Sequence, residues 1–190
     1  MTERENLFEA ELNYIIDENI RNSAMTILNL LPEYFFHIPA SSTGQYHPKY
    51  ALGEGGLVRH TKAAIRIACE LFRIYAFDDE TKDLIILSLM IHDGIKKGMP
   101  EENHTKFEHP FLISNFIEEN KDQLNLSDEQ IMRVKSMVES HMGRFNTNPN
   151  IKDVVLPLPV NPEQKFVHLC DYLASRKCLE LPFDNTGKII

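Results

Sequence analysis

Apolar residues recur along most of this chain with the three- and four-residue spacing of amphipathic helices. In the first such stretch, Leu7, Leu12, Ile15 and Ile16 share one apolar face. The spacing predicts helices over about 4–30, with a possible break near Asn22, and over about 57–76, 80–93, 109–120, 128–142 and 162–180. No segment alternates convincingly with period two, so we predict an all-α fold.

Residues typical of helix ends flank these segments. Leu31-Pro32 ends the first helix, and Asp78-Asp79 supplies an N-cap for the helix that follows. Pro110 fits a first helical turn, and Ser127 caps the helix after it.

Three segments between the helices are predicted to lack regular helix. Residues 37–56 contain two Pro and four Gly, and a loop that long is often functional. Residues 98–106 form a polar loop, and residues 146–164 form a Pro-rich connector that could include a short extended piece.

The composition is that of a soluble globular protein. The 190 residues, 43% hydrophobic and 25% charged, suffice for a single domain with a substantial core. No apolar run approaches the roughly 18 residues of a membrane span, and the charged N-terminus is unlike a secretory signal. Cys69, Cys170 and Cys178 form no CxxC pair, so we read them as small buried hydrophobes in a reducing compartment and predict a cytoplasmic protein.

The net charge of −8 argues against a large non-specific nucleic-acid surface, which would need clustered Lys and Arg. It is compatible with one phosphate held at a local site, because bound divalent cations would supply positive charge there.

The apolar run LIILSLMI, residues 84–91, ends in His92 and Asp93 side by side. A buried carboxylate is unfavourable unless it is paired or binds a metal. The simpler interpretation is that the helix reaches the surface at Asp93. The functional interpretation is that the pair belongs to a metal site. A His-Asp pair occurs often by chance, so the dipeptide alone does not decide.

Four polar residues, His92 among them, lie in phase with the apolar face of a predicted helix. A single inward histidine is usually a satisfied core residue, whereas an inward aspartate needs its charge offset. One explanation covers all four together with Asp93: they converge on a cation inside a helical bundle. Imidazoles and carboxylates without thiolates suit Mn²⁺, Fe²⁺, Co²⁺, Ni²⁺ or Zn²⁺. The four residues are His60, His92, His141 and Asp171.

These residues occur in the order and context of a known family. GGLVRHT contains His60, MIHDGIKKG contains His92 and Asp93, and FVHLCDYLASR contains Asp171. Over about residues 46–180 the chain resembles the HD-domain superfamily of metal-dependent phosphohydrolases, and YHPKYALGEGGLVRHT is also similar to HD-domain 3′–5′ exonucleases. We expect none of the 190 residues to form the accessory OB-fold domain of those exonucleases. The usual HDxGK is replaced by HDGIKK, which keeps Lys96 but moves Gly94 next to Asp93.

The resemblance implies an HD-type helical bundle with its metal site in the core and an N-terminal helical extension over 1–36. His60, His92, Asp93 and Asp171 would hold a first divalent metal. Two further histidines, matched by FEHP and ESHMG, would complete a second metal site with Asp93 as the bridge; they are His109 and His141.

The implied activity is hydrolysis of a phosphoester of a nucleotide or short single-stranded nucleic acid by a metal-bound hydroxide, with Asp93, Lys96 and Arg144 near the reacting groups. Lys96 and Arg144 each follow a ligand by about one turn and are placed to meet substrate phosphate, although a solvated role is open for both. Gly94 is expected to leave room for solvent or a ligand at the metals.

Several alternatives stay open. His104 competes with His109 as a ligand, His168 is expected to support the site rather than ligate, and His47 and Tyr46 lie in a loop that could line it. The same ligand pattern also occurs in HD-type di-iron oxygenases, and a non-catalytic metal-binding module is a third reading. The substrate and the oligomeric state do not follow from the sequence.

Overall fold

The helices surround a central apolar helix. The computed structural model describes residues 2–41, 44–148, 151–179 and 181–190, and this part of the chain is mostly helical. A two-stranded antiparallel hairpin, β1 (Thr147–Asn148) and β2 (Ile151–Val155), provides the short extended piece in the Pro-rich connector. The α-helices of the described residues are α1 (Glu3–Leu7), α2 (Glu9–Leu12), α3 (Glu18–Leu30), α4 (Gly56–Leu71), α5 (Asp79–Ile91), α6 (His109–Glu119), α7 (Asp128–Glu139) and α8 (Pro162–Ala174).

Helix α5 forms the centre of the bundle. Every side chain from Asp83 to Ile91 is buried, and α3, α4, α7 and α8 all pack against this helix. A helix that is apolar on all sides has no face for solvent, so it takes the interior position. As a consequence, the residues that follow Ile91 begin inside the protein rather than at its surface.

The predicted N-caps are present. The Asp78 carboxylate accepts a hydrogen bond from the Thr81 backbone N–H and starts α5. Ser127 and Gln130 form a capping box at the start of α7. Asn161 and Gln164 form another at the start of α8, where no cap was predicted.

The single helix predicted over 4–30 is wrong. The chain leaves helical geometry at residues 13–17, well before Asn22, and resumes at α3, where Asp17 is the N-cap. The Asp83 carboxylate of α5 accepts hydrogen bonds from the backbone N–H groups of Ile16 and Asp17 at 2.7–3.1 Å. A contact 66 residues away in the sequence therefore fixes the break.

Several helices also end earlier than predicted. The helix predicted over 57–76 ends at Leu71, the one over 128–142 ends at Glu139, and the one over 162–180 ends at Ala174. The helix predicted over 80–93 ends at Ile91, so His92 and Asp93 lie in the turns that follow.

Gly94 serves packing, which corrects the expectation that it opens the site to solvent. A Cβ at Gly94 would lie 2.7 Å from Leu31 Cδ2, 2.9 Å from the Ile91 carbonyl oxygen and 3.2 Å from Ile113 Cδ1. The missing side chain thus lets Leu31 and Ile113 pack directly against the backbone at the end of α5.

In the described part of the chain, no helix combines the length and the hydropathy that crossing a membrane would require.

Candidate metal centre

Five structural elements bring the predicted ligands to one place. His60 lies in α4, His92 and Asp93 follow α5, His109 opens α6, His141 follows α7 and Asp171 lies in α8. The first five are between 1% and 4% exposed. The Asp171 side chain is 18% exposed, so the centre meets solvent on the α8 side.

One half of the centre is built around Asp171. The His60 Nε2 atom lies 2.9 Å from Asp171 Oδ1, and the His92 Nε2 atom lies 3.5 Å from the same oxygen. Ligands bound about 2.1 Å from one cation in a tetrahedral arrangement lie about 3.4 Å apart. The three donor atoms are therefore spaced as ligands of a shared ion.

The other half is built around Asp93. Its Oδ1 atom lies 3.0 Å from His109 Nε2 and 3.8 Å from His141 Nε2, and these two nitrogens lie 3.2 Å apart. Its Oδ2 atom lies 3.6 Å from His92 Nε2 and 2.5 Å from Lys96 Nζ. Asp93 thus contacts His92 with one oxygen and the His109–His141 pair with the other, as a bridging carboxylate would.

Backbone carbonyl groups fix the orientation of three imidazoles. The Nδ1–H groups of His92, His109 and His141 each donate to the carbonyl oxygen three residues earlier, at 2.7 Å. A histidine whose Nδ1 carries the proton presents a lone pair at Nε2 when it is neutral. Metal-binding histidines are typically oriented by such a hydrogen bond from the other ring nitrogen.

This orientation leaves acceptors facing one another. In their neutral forms His109 and His141 direct Nε2 lone pairs at each other and at Asp93 Oδ1. The Asp93 Oδ1 and His92 Nε2 atoms are buried and have no hydrogen-bond partner. Buried acceptors that converge without a donor need a proton or a cation between them. The donor set therefore fits a divalent metal of the imidazole- and carboxylate-binding kind.

Neighbouring cations keep both carboxylates ionised. Burial by itself raises the pKa of Asp93, but Lys96 and the adjacent His92 outweigh burial and hold that pKa well below its usual range. The pKa of Asp171 is also held well below its usual range, because the neighbouring imidazoles of His60 and His92 outweigh burial. The centre therefore keeps two negative charges in its interior.

The histidines differ from one another in charge. Burial opposes protonation of His92, but Asp93 and Asp171 prevail and raise its pKa to about 9. Burial, with the neighbouring His92 and His109, lowers the pKa of His141 to about 3. In the metal-free protein at neutral pH, His92 is the proton-bearing cation that a metal would replace, and His141 is already neutral.

A cavity of about 210 Å³ opens onto the centre. Lys96 lines it, with 14% of its side chain exposed, which places an ammonium group beside the ligands. His47 also lines it, and burial, with the nearby His60 and Lys96, lowers the pKa of His47 to about 4. Lys96 therefore lies at the cavity beside Asp93.

Of the other candidates, Arg144 and His104 lie outside the cavity and His168 lines it. Arg144 is exposed, its guanidinium lies 5.0 Å from the centroid of the Phe145 ring, and it is not among the residues that line the cavity. His104, the alternative to His109 as a candidate ligand, is exposed, whereas His109 is buried. His168 lines the cavity and donates from Nδ1 to the His141 carbonyl oxygen at 2.7 Å. Gly143, at φ +55°, leaves the space in which the His168 ring lies.

Six residues that line the cavity were not predicted from the sequence: Thr105, Met142, Phe145, Tyr172, Ser175 and Arg176. A signal for two of them was present. His168, Tyr172 and Arg176 are four residues apart, so helical spacing places them on one face of the helix predicted over 162–180, beside the face that carries Asp171.

Comparison with known proteins adds no relative: no family model matches the chain, and no curated protein or solved structure is significantly similar to it.

Proposed function

We propose that this protein is a metal-dependent phosphohydrolase of the HD type. His60, His92, Asp93 and Asp171 would hold one divalent cation, and Asp93, His109 and His141 a second. The proposal rests above all on the His109 and His141 Nε2 atoms, which lie 3.2 Å apart beside Asp93 Oδ1 while each Nδ1–H is committed to a carbonyl group. That arrangement is stable with a cation and repulsive without one.

When bound, divalent cations supply Lewis-acid activation of water and neutralise phosphate charge. The remaining contributions come from the chain itself. The buried carbonyl contacts orient the imidazoles before any ligand arrives, so the site needs little rearrangement. Lys96 Nζ, 2.5 Å from Asp93 Oδ2, both fixes that carboxylate and offers a positive charge to a phosphate in the cavity.

The substrate class we favour is a phosphoester of a nucleotide or short oligonucleotide. Lys96 and Arg176 line the same cavity and supply two cationic side chains for an anionic ligand. The protein's net charge of −8 favours a small ligand bound locally over a long polyanion bound along the surface.

The test combines metal content with turnover. Elemental analysis of the purified wild type should find up to two equivalents of a transition metal. Hydrolysis should appear in a screen of nucleotides, cyclic nucleotides, bis-p-nitrophenyl phosphate and short single strands with Mn²⁺, Co²⁺ or Ni²⁺. His92→Ala should lose bound metal and turnover together while helical circular dichroism is retained, and exposed His104→Ala is the matched control.

Two outcomes would contradict the proposal. Metal bound without turnover of any phosphoester would indicate a binding module. Iron with substrate-dependent O₂ consumption would indicate an oxygenase.

A further inference from the structure

Flat side chains surround the mouth of the metal-centre cavity. We call Tyr46, Phe145, Tyr172 and Arg176 the mouth cluster. The Arg176 guanidinium carbon lies 4.4 Å from the centroid of the Tyr172 ring and 5.6 Å from that of Tyr46. The Phe145 and Tyr172 rings are nearly parallel, at 15°, with centroids 6.5 Å apart. The cluster thus combines three aromatic rings with one planar cation.

The mouth cluster lies beside the metal centre and is open to solvent. Phe145, Tyr172 and Arg176 line the same cavity as Asp93 and Lys96. Phe145 is 46% exposed, and Tyr46 is 57% exposed. Adjacent exposed aromatic rings at the edge of a polar cavity are unfavourable in water and are typical of binding surfaces.

Hydrogen bonds hold the cationic member in place. Ser175 Oγ donates to the Tyr172 carbonyl oxygen at 2.7 Å and accepts from Arg176 Nε and NH2 at 3.2 and 2.8 Å. The Tyr50 hydroxyl donates to the Ala174 carbonyl oxygen at 2.9 Å, which ties loop 37–56 to the end of α8. Because the guanidinium is oriented before a ligand binds, little side-chain entropy remains to be lost.

We propose that the mouth cluster stacks on the base of a nucleoside phosphate whose phosphate group reaches Lys96, beside the candidate metal centre. This inference rests on the proposed function for the phosphate end and adds the recognition of the ring. Aromatic rings and Arg planes stack on nucleic-acid bases with little preference among the bases. The cavity supplies cationic groups for one phosphate, and the cluster supplies flat surfaces for one ring, so a single nucleotide unit satisfies both.

The test compares two ligands that differ only in the base. AMP and ribose 5-phosphate carry the same sugar and phosphate, and the affinity of each is measured in Mn²⁺, by equilibrium dialysis or, where turnover occurs, as KM. Tyr172→Leu should reduce the preference for AMP over ribose 5-phosphate about tenfold, as expected for loss of one stacking side chain. Tyr172→Phe keeps the ring and should restore the preference.

The controls separate folding from recognition. Tyr14→Leu makes the same change at an exposed site on the segment after α2 and should leave the preference unchanged. Phe145→Leu is the second test variant, should Tyr172→Leu fail to fold, and should reduce the preference in the same direction.

Failure of this inference differs from failure of the proposed function. Equal affinity of the wild type for AMP and ribose 5-phosphate, or no binding of AMP in Mn²⁺, overturns the inference even if another phosphoester is hydrolysed. A preference for AMP that Tyr172→Leu abolishes supports the stacking inference. If that preference is found but no phosphoester is hydrolysed, only the proposed hydrolysis is overturned.

Discussion

Two buried aspartates, Asp83 in the second turn of α5 and Asp93 just after the end of that helix, have different partners. Asp83 is 1% exposed and Asp93 is 4% exposed, so burial does not distinguish them. Asp83 accepts hydrogen bonds from the backbone N–H groups of Ile16 and Asp17. Asp93 contacts an ammonium group and imidazole nitrogens instead. The first carboxylate joins two segments of the chain, and the second lies among groups that exchange protons and bind metals.

The difference lies in the chemistry of the partners. Backbone N–H groups donate only, so the environment of Asp83 has no vacancy for a cation. Neutral imidazoles offer lone pairs, so the groups around Asp93 can bind a cation together with its carboxylate. The pKa values move oppositely: burial raises the pKa of Asp83, whereas Lys96 and His92 outweigh burial and lower that of Asp93. A buried carboxylate is therefore a candidate for function when its neighbours can bind the same ion.

The largest expected effect separates the two aspartates by activity. Asp93→Ala should remove bound metal and reduce kcat/KM at least about 1000-fold, because it deletes the carboxylate shared by both halves of the site. Asp83→Ala should leave the activity per folded molecule within about twofold. Elemental analysis and initial rates with Mn²⁺ measure both. Equal losses in the two variants would mean that Asp93 has no special role.

The next largest effect is a pH dependence of the unfolding free energy, which should come from His92 beside Asp93 and not from Asp83. The folded-state pKa of His92 is raised to about 9, so protonated His92 contributes stability below about pH 6.5, and that stability is lost as the pH rises through 9. In EDTA, the unfolding free energy should therefore fall by up to about 3 kcal/mol between pH 6.5 and 9. Urea denaturation at several pH values measures it.

Two controls define the source of this pH dependence. His92→Gln should remove most of the decrease. Saturating Mn²⁺ should stabilise the protein more as the pH rises, because metal binding displaces the His92 proton. If the unfolding free energy of His92→Gln decreased with pH as much as that of the wild type, other groups would be the source of the pH dependence.

Local sequence signals predicted most of the helices and the inner part of the site. Helix positions followed from apolar spacing, and His60, His141 and Asp171 were proposed as ligands because they lie in phase with apolar faces. Helix ends were predicted too late at His92 and His141, since both lie in turns that continue the apolar pattern beyond the helix.

The remaining features depend on contacts between distant residues. The break before α3 is fixed by Asp83, and Gly94 is required by Leu31 and Ile113. No window of sequence around residue 16 or residue 94 contains those partners. The mouth cluster likewise joins a loop, the segment after α7 and the end of α8. The sequence offered Tyr46 as a candidate and the Tyr172–Arg176 spacing as a signal, but nothing in it brought the loop and the helix end together.

The smallest expected effect concerns the Asp83 end alone. Asp83→Ala leaves the backbone N–H groups of Ile16 and Asp17 without their acceptor, and unsatisfied groups of this kind cost about 1–3 kcal/mol. Asp83→Asn keeps one acceptor oxygen at the same position and should lose less than about 1 kcal/mol. Urea denaturation at pH 7 in EDTA measures both variants, and hydrogen exchange at the Ile16 and Asp17 amides should accelerate in Asp83→Ala. If Asp83→Asn were as unstable as Asp83→Ala, stability would depend on the negative charge of Asp83 and not only on its acceptor oxygens. Asp83 would then resemble Asp93, whose charge is essential to its proposed role.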